Sequence, residues 1–180
     1  MVGAGSSGAQ IADELLRAGN PVYLSIGSHD RPPRSYRGRD IVWWLGVLGK
    51  WDAVAMEPDM EHVPIAESGA RGGETVDFRR FASRGMTLVG RTDSFEQGVM
   101  HFASDLANNL VQADASILSL LDEADAYAAR NGLDLPLEPE ARIFEPDPQC
   151  VTDPIVELNL AEAGIPRSSG QRALRLITVG

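Results

Sequence analysis

Three glycines near the start of the chain have the spacing of a phosphate-binding turn. Gly3, Gly5 and Gly8 form the pattern Gly-x-Gly-x-x-Gly, with Ser6 and Ser7 before the last glycine. In such a turn the first glycine permits a tight bend, the second lets the backbone approach a pyrophosphate, and the third allows close packing of helix on strand. Backbone amides and the positive helix end then face the anion. The pattern predicts a dinucleotide site; the alternative is a glycine-rich helix start without a ligand.

The residues after the next predicted strand indicate which dinucleotide the site would take. An NAD site usually places an acidic residue about 20 residues past the glycines, where it binds the ribose hydroxyls. Ser28 and His29 offer no carboxylate there, and Arg31, Arg34 and Arg37 follow in a chain of net charge −10. Guanidinium groups bind a 2′-phosphate bidentately. We therefore expect NADP(H), with Ser28, His29 and Arg31 at the ribose and its phosphate. The alternatives are a histidine in a surface loop and arginines that pair with acidic residues or are hydrated in a loop.

The periodicity of apolar residues predicts the elements that must position these groups. Apolar residues recur every three or four positions after the glycine turn, which predicts a helix capped by Ser6 or Ser7 and ended by Gly19. The other predicted elements are a strand over 22–26, a short helix capped by Asp40, a loop over 56–73, a helix over 77–84, strands over 86–90 and 99–102 joined by a turn, a helix over 105–131 and a strand over 174–179.

Strands that alternate with helices predict an α/β fold with a parallel sheet and helical crossovers. The expected architecture is a Rossmann-like dinucleotide-binding domain with a helical insertion, about residues 30–75, and a long helix near the middle of the chain.

Composition and charge disfavour several classes of protein. Hydrophobic residues make up 43% of the chain and charged residues 23%, which is ordinary for a globular protein. The net charge of −10 disfavours a nucleic-acid partner. The longest apolar stretch, 41–49, is shorter than the roughly 20 residues that a membrane span needs. A single cysteine, Cys150, favours a reducing compartment, and the three histidines show no metal-ligand spacing. We expect a cytoplasmic protein without a metal site.

Three longer segments resemble the nicotinamide-binding part of flavin-containing monooxygenases and their bacterial FAD-dependent oxidoreductase relatives. They are GAGSSGAQIA (3–12), YRGRDIVWWL (36–45) and DAYAARNGLDLP (125–136), and the resemblance runs through most of residues 1–166. It implies an enzyme with two dinucleotides, in which NADPH delivers a hydride to FAD and the flavin then activates oxygen. The resemblance carries over no catalytic residue.

The chain also departs from that family. The family has an earlier glycine fingerprint for FAD, and no second Gly-x-Gly-x-x-Gly occurs here. We therefore expect residues 1–180 to be the NAD(P)H-binding portion without its FAD-binding part: a truncated portion, a split gene product or a degraded copy. FAD would then require a separately encoded domain. The rival hypothesis is a non-catalytic dinucleotide-binding module. A short-chain NADPH reductase is disfavoured because Lys50 is the only lysine and no Tyr-x-x-x-Lys pair exists.

Overall fold

The computed structural model describes residues 1–50 and 75–165, which form a mixed α/β fold. The helices are α1 (Ser6–Arg17), α2 (Ile41–Val47), α3 (Phe78–Ser83), α4 (Leu106–Arg130) and α5 (Gln149–Thr152), with a 3₁₀ turn at Pro139–Arg142. The strands are β1 (Tyr23–Ser25), β2 (Ser35–Tyr36), β3 (Arg39–Asp40), β4 (Thr87–Val89), β5 (Thr92–Glu96), β6 (Val99–Phe102) and β7 (Glu157–Asn159). The predicted loop over 56–73, the strand over 174–179 and much of the insertion over 30–75 lie outside the described residues.

A small parallel sheet carries the start of the chain. β1 and β4 pair in parallel from Tyr23↔Thr87 to Ser25↔Val89. On the other side of β1, Val2 forms an isolated parallel bridge with Ser25. Three extended segments thus run in the same direction, and the glycine turn follows Val2. Within the described residues the sheet itself has two strands, fewer than the expected architecture contains.

The larger apolar cluster packs α1 and α3 against this parallel sheet. Ala9 and Ala12 of α1 are fully buried, and their small side chains let the helix lie close to the strands. Leu24 and Leu88 occupy paired positions on β1 and β4, and both are fully buried. Phe78, the first residue of α3, is fully buried in the same cluster. These contacts hold the beginning of α1 at one end of the parallel sheet.

The long helix α4 joins two apolar clusters. Its first turns bury Leu106 and Leu110 in the cluster around the parallel sheet. Its later turns bury Ile117 and Leu121 against the inserted helix α2, whose Trp44 is fully buried. The apolar positions follow the three- and four-residue spacing of one helix face, which is why the sequence predicts this helix to within a residue at each end.

The described part of the insertion is a short hairpin followed by α2. β2 and β3 pair through a turn in which Arg37 and Gly38 have positive φ angles of 51° and 71°. The Asp40 side chain accepts the amide of Val42 at 2.9 Å and caps α2, as predicted. The Trp44 indole donates to the carbonyl of Tyr36 at 2.8 Å, which ties the helix to the hairpin.

One predicted pairing is wrong. Strand 99–102 forms as β6, but it pairs in antiparallel fashion with β5 and β7 instead of with the strand at 86–90. Gln97 and Gly98 have φ angles of 50° and 91° and make the two-residue turn that joins β5 to β6. Because such a turn brings its two flanking strands together, β4 remains free to pair with β1.

Candidate functional site

The glycine turn requires glycine for two separate reasons. Gly3 has a φ of 95°, a backbone conformation that side chains disfavour. Gly8 lies in the first turn of α1, where a Cβ atom would lie 2.0 Å from the carbonyl oxygen of Gly3. No side chain fits that space. The helix start therefore packs directly on the backbone of the turn, which is the close approach that the glycine spacing predicts.

The start of α1 has no cap from its own side chains. Gly5 is the N-cap, with φ −66° and ψ 177°, and no side chain bonds the first amides from this position. The prediction that Ser6 or Ser7 caps the helix is wrong, because both lie within its first turn. No acidic residue occurs in that turn. The positive end of the helix dipole at this turn therefore favours an anion.

Ser28 and the glycine turn follow neighbouring extended segments at the same end of the parallel sheet. The amide of Ile26 donates to the carbonyl of Val89 at 2.9 Å, continuing the parallel pairing beyond β1. The Ser25 hydroxyl donates to the carbonyl of Gly90 at 2.9 Å and fixes the carboxyl ends of β1 and β4 together. Ser28 follows at this edge and is exposed. In parallel sheets, ligands bind beyond the carboxyl ends of the strands.

His29 lies inside the protein and not in a surface loop. Its side chain is 4% exposed, and the ring contacts Phe78 edge-on with centroids 4.9 Å apart. Nδ1 lies 2.9 Å from the carbonyl oxygen of Gly27, which can only accept, so Nδ1 carries the proton. Nε2 is buried and has no hydrogen-bond partner among residues 1–50 and 75–165. Burial lowers the pKa of His29 below its ordinary value, and the nearby Arg31 guanidinium contributes in the same direction.

Arg31 is held in a buried network of ion pairs. It is 3% exposed, its Nη2 donates to Asp114, and its Nη1 lies 3.8 Å from Asp77. Arg79, 5% exposed, binds the same Asp114 at 2.9 Å and also Asp147 at 2.7 Å. Carboxylates of the protein already match the charge of Arg31. This geometry gives no support to Arg31 as a ligand of the 2′-phosphate.

The other two arginines of the predicted phosphate site are also bound within the chain. Arg34 pairs with Asp40 at 2.6 Å. Arg37 pairs with Asp125 at 2.9 Å, and its amide donates to Glu138 at 2.5 Å. These contacts agree with the alternative hypothesis that the arginines pair with acidic residues. Asp125 also stays ionised. Desolvation raises the pKa of its carboxyl, but hydrogen bonds from Arg142, Tyr36 and Arg37 outweigh that effect and lower the pKa below its ordinary value.

Sequence reasoning missed Arg91, the residue that places a guanidinium at the edge of the parallel sheet. Arg91 follows β4, and its side chain is 67% exposed. A Cβ atom at Gly27 would lie 3.8 Å from Cγ of Arg91, so the arginine stem lies across the end of β1. Its ion pair with Asp93, at 3.2 Å, is itself exposed and therefore weak. The register Ser25↔Val89 places residue 91 beside residue 27, and the sequence alone does not reveal this register.

A separate cleft of about 240 Å³ lies beside Arg31, between the segment after β1 and the middle of α4. Lys50 and Glu123 in its wall pair at 2.9 Å. The residues of the glycine turn do not line this cleft, so it is distinct from the candidate dinucleotide site.

Within residues 1–50 and 75–165, no helix combines the length and the apolar character needed to cross a membrane. The His, Cys, Asp and Glu side chains of the same residues form no group suited to a metal ion. No protein-family model, curated protein or solved structure matches the chain.

Proposed function

We propose that the chain is the NADP(H)-binding part of an FAD-dependent, monooxygenase-like oxidoreductase, with a Rossmann-like fold. The observation that carries the proposal is the contact between Gly8 and Gly3, in which a Cβ atom would lie 2.0 Å from the Gly3 carbonyl oxygen. Beside this glycine bend, α1 begins without a side-chain bond from its N-cap residue and without an acidic residue in its first turn. Backbone geometry of this kind fits a pyrophosphate.

The roles of the individual residues follow from their positions. Gly3 and Gly5 let the backbone approach the pyrophosphate, and Gly8 brings the helix start against the bend. The amide of Ser7, in the first helical turn, donates to a phosphate oxygen, and the exposed Ser7 hydroxyl adds a further donor.

Ser28 meets the ribose, because it is exposed at the same edge of the sheet. His29 supports this segment from inside through its bond to the Gly27 carbonyl. Arg91 binds the 2′-phosphate in place of Arg31, since its guanidinium is exposed at the carboxyl end of β4. NADPH, when bound, supplies a hydride, and the protein contributes binding and orientation. The 180 residues hold no second Gly-x-Gly-x-x-Gly pattern, so FAD would be bound by a flavin-binding domain outside them.

The test replaces Ser7 by Asp. A carboxylate at this exposed position in the first turn stabilises the helix through its dipole, but it repels a pyrophosphate. We expect Ser7→Asp to keep or raise the thermal midpoint of the protein and to weaken the binding of both NADPH and NADH at least tenfold in calorimetric titrations. Gln112→Glu, on the exposed face of α4, adds the same charge away from the site and should leave both affinities unchanged. Unchanged affinities in Ser7→Asp would refute the proposed pyrophosphate site.

The rival function is a non-catalytic dinucleotide-binding module, which the lack of a second glycine fingerprint in the sequence favours. Both functions predict binding of NADPH. They differ once the flavin-binding domain is supplied: an oxidoreductase then consumes NADPH, measured as loss of absorbance of the reduced nicotinamide, whereas a binding module does not.

A further inference from the structure

Asp105 occupies the N-cap position of α4, but it does not cap the helix. No side-chain cap bond forms there, and Oδ1 accepts the backbone amide of Arg91 at 3.0 Å. An N-cap aspartate ordinarily bonds an amide of its own first turn, which stabilises a helix by about 1 kcal/mol. In this protein, Oδ1 of Asp105 instead accepts from the backbone of Arg91, just beyond the end of β4.

The contact is possible because Gly90 has no side chain. A Cβ atom at Gly90 would lie 2.0 Å from the carbonyl oxygen of Ala103 and 2.6 Å from Oδ1 of Asp105. The amide of Ala103 in turn donates to the carbonyl of Arg91 at 2.8 Å. Both backbone polar groups of Arg91 are therefore held by the segment that enters α4, while the Arg91 side chain remains exposed.

The same helix also holds the end of β1. Asn109, one turn beyond Asp105, is buried, and its side-chain amide donates to the carbonyl of Ile26 at 3.1 Å. Gly27 follows Ile26 and supports the Arg91 stem. The first turn of α4 thus sets the position of Arg91 relative to the segment that the ribose would contact.

We propose that Asp105 is a positioning residue that sets the preference for NADPH over NADH by holding the backbone of Arg91. This inference rests on the proposed function. Asp105 does not contact the coenzyme; it acts through Arg91, whose guanidinium meets the 2′-phosphate only when the backbone of residue 91 stays in place. NADH lacks that phosphate, so its affinity does not depend on this contact.

The experiment measures dissociation constants for NADPH and NADH by calorimetry. Asp105→Ser places a favourable N-cap residue at the start of α4, but its side chain is too short to reach the Arg91 amide. We therefore expect NADPH to bind about tenfold more weakly and the affinity for NADH to change less than twofold. Asp105→Asn retains an acceptor oxygen of the same reach and should keep the wild-type preference. Asp105→Glu shifts the carboxylate by one methylene and should lose the preference for NADPH over NADH. This variant tests the positioning role of Asp105 if Asp105→Ser does not fold.

A comparison with Arg91→Ala separates positioning from general structural damage. In an Arg91→Ala background, Asp105→Ser should cause no further loss of NADPH affinity, because both changes remove the same contact. Equal weakening of NADPH and NADH by Asp105→Ser, or no weakening, would overturn the positioning role while leaving the proposed function intact. Failure of the wild-type chain to bind either coenzyme would overturn the proposed function and this inference together.

Discussion

Replacing Asp114 tests whether Arg31 is a structural residue. Asp114 accepts from the guanidinium groups of Arg31 and Arg79, which are 3% and 5% exposed. Asp114→Asn keeps the shape of the side chain but removes the negative charge shared by two buried cations. Breaking a buried ion pair by removing one partner destabilises a protein by about 3–5 kcal/mol. Since Arg79 keeps its bond to Asp147, we expect a loss near the lower value, about 3 kcal/mol.

The measurement is urea unfolding followed by circular dichroism. With a urea dependence of about 2 kcal/mol per molar, the midpoint should fall by roughly 1.5 M with little change in slope. Asp122→Asn is the matched control on the same helix, because Asp122 binds Arg142 at 2.7 Å but is 70% exposed. An exposed pair contributes about 0–1 kcal/mol. Equal midpoints for the two variants would refute the buried network and would leave Arg31 available to bind an anion.

Three further predictions follow from the same geometry. Arg91→Ala should weaken NADPH binding by about 1.5–3 kcal/mol and leave NADH binding unchanged. Arg31→Ala should lower the thermal midpoint and weaken the binding of both coenzymes. Calorimetric titration together with thermal unfolding distinguishes the two variants. Gly8→Ala should destabilise the fold by at least about 2 kcal/mol, because its Cβ meets the Gly3 carbonyl, while Gly27→Ala, which meets Arg91 at 3.8 Å, should be tolerated in the same urea assay. Because burial lowers the pKa of His29 in the folded state, the unfolded chain binds more protons, so stability should fall as the pH drops from about 6.5 through the lowered folded pKa. His29→Gln should lose that part of the pH dependence and His101→Gln, a half-exposed control, should keep it; identical urea midpoints against pH in all three proteins would contradict the assignment.

The features predicted from the sequence are those that depend on neighbouring residues. The spacing of Leu106, Leu110 and Ile117 is enough to predict α4, because one helix face repeats every three or four residues. The pattern of Gly3, Gly5 and Gly8 predicts a bend, and the structure disfavours any side chain at Gly3, because of its positive φ angle, and at Gly8, because no space is left for one. These signals arise within a few turns of the chain.

The features that escaped prediction depend on distant residues. Arg31 is recognisable as an ion-pairing residue only when Asp114, 83 residues away, is known to lie beside it. Arg91 becomes a candidate ligand only when β1 and β4 are identified as parallel neighbours. The hairpin of β2 and β3 has two residues in each strand, too few to show an alternating pattern.

The position of α4 in both apolar clusters has a consequence for how the molecule opens. Leu106 and Leu110 belong to one cluster, and Ile117 and Leu121 to the other. Because both clusters share this 25-residue helix, opening either cluster exposes the apolar residues at one end of α4. Backbone amide hydrogens between residues 113 and 121 should therefore exchange with heavy water only through global unfolding. The centre of α4 should be the slowest-exchanging segment of the described chain.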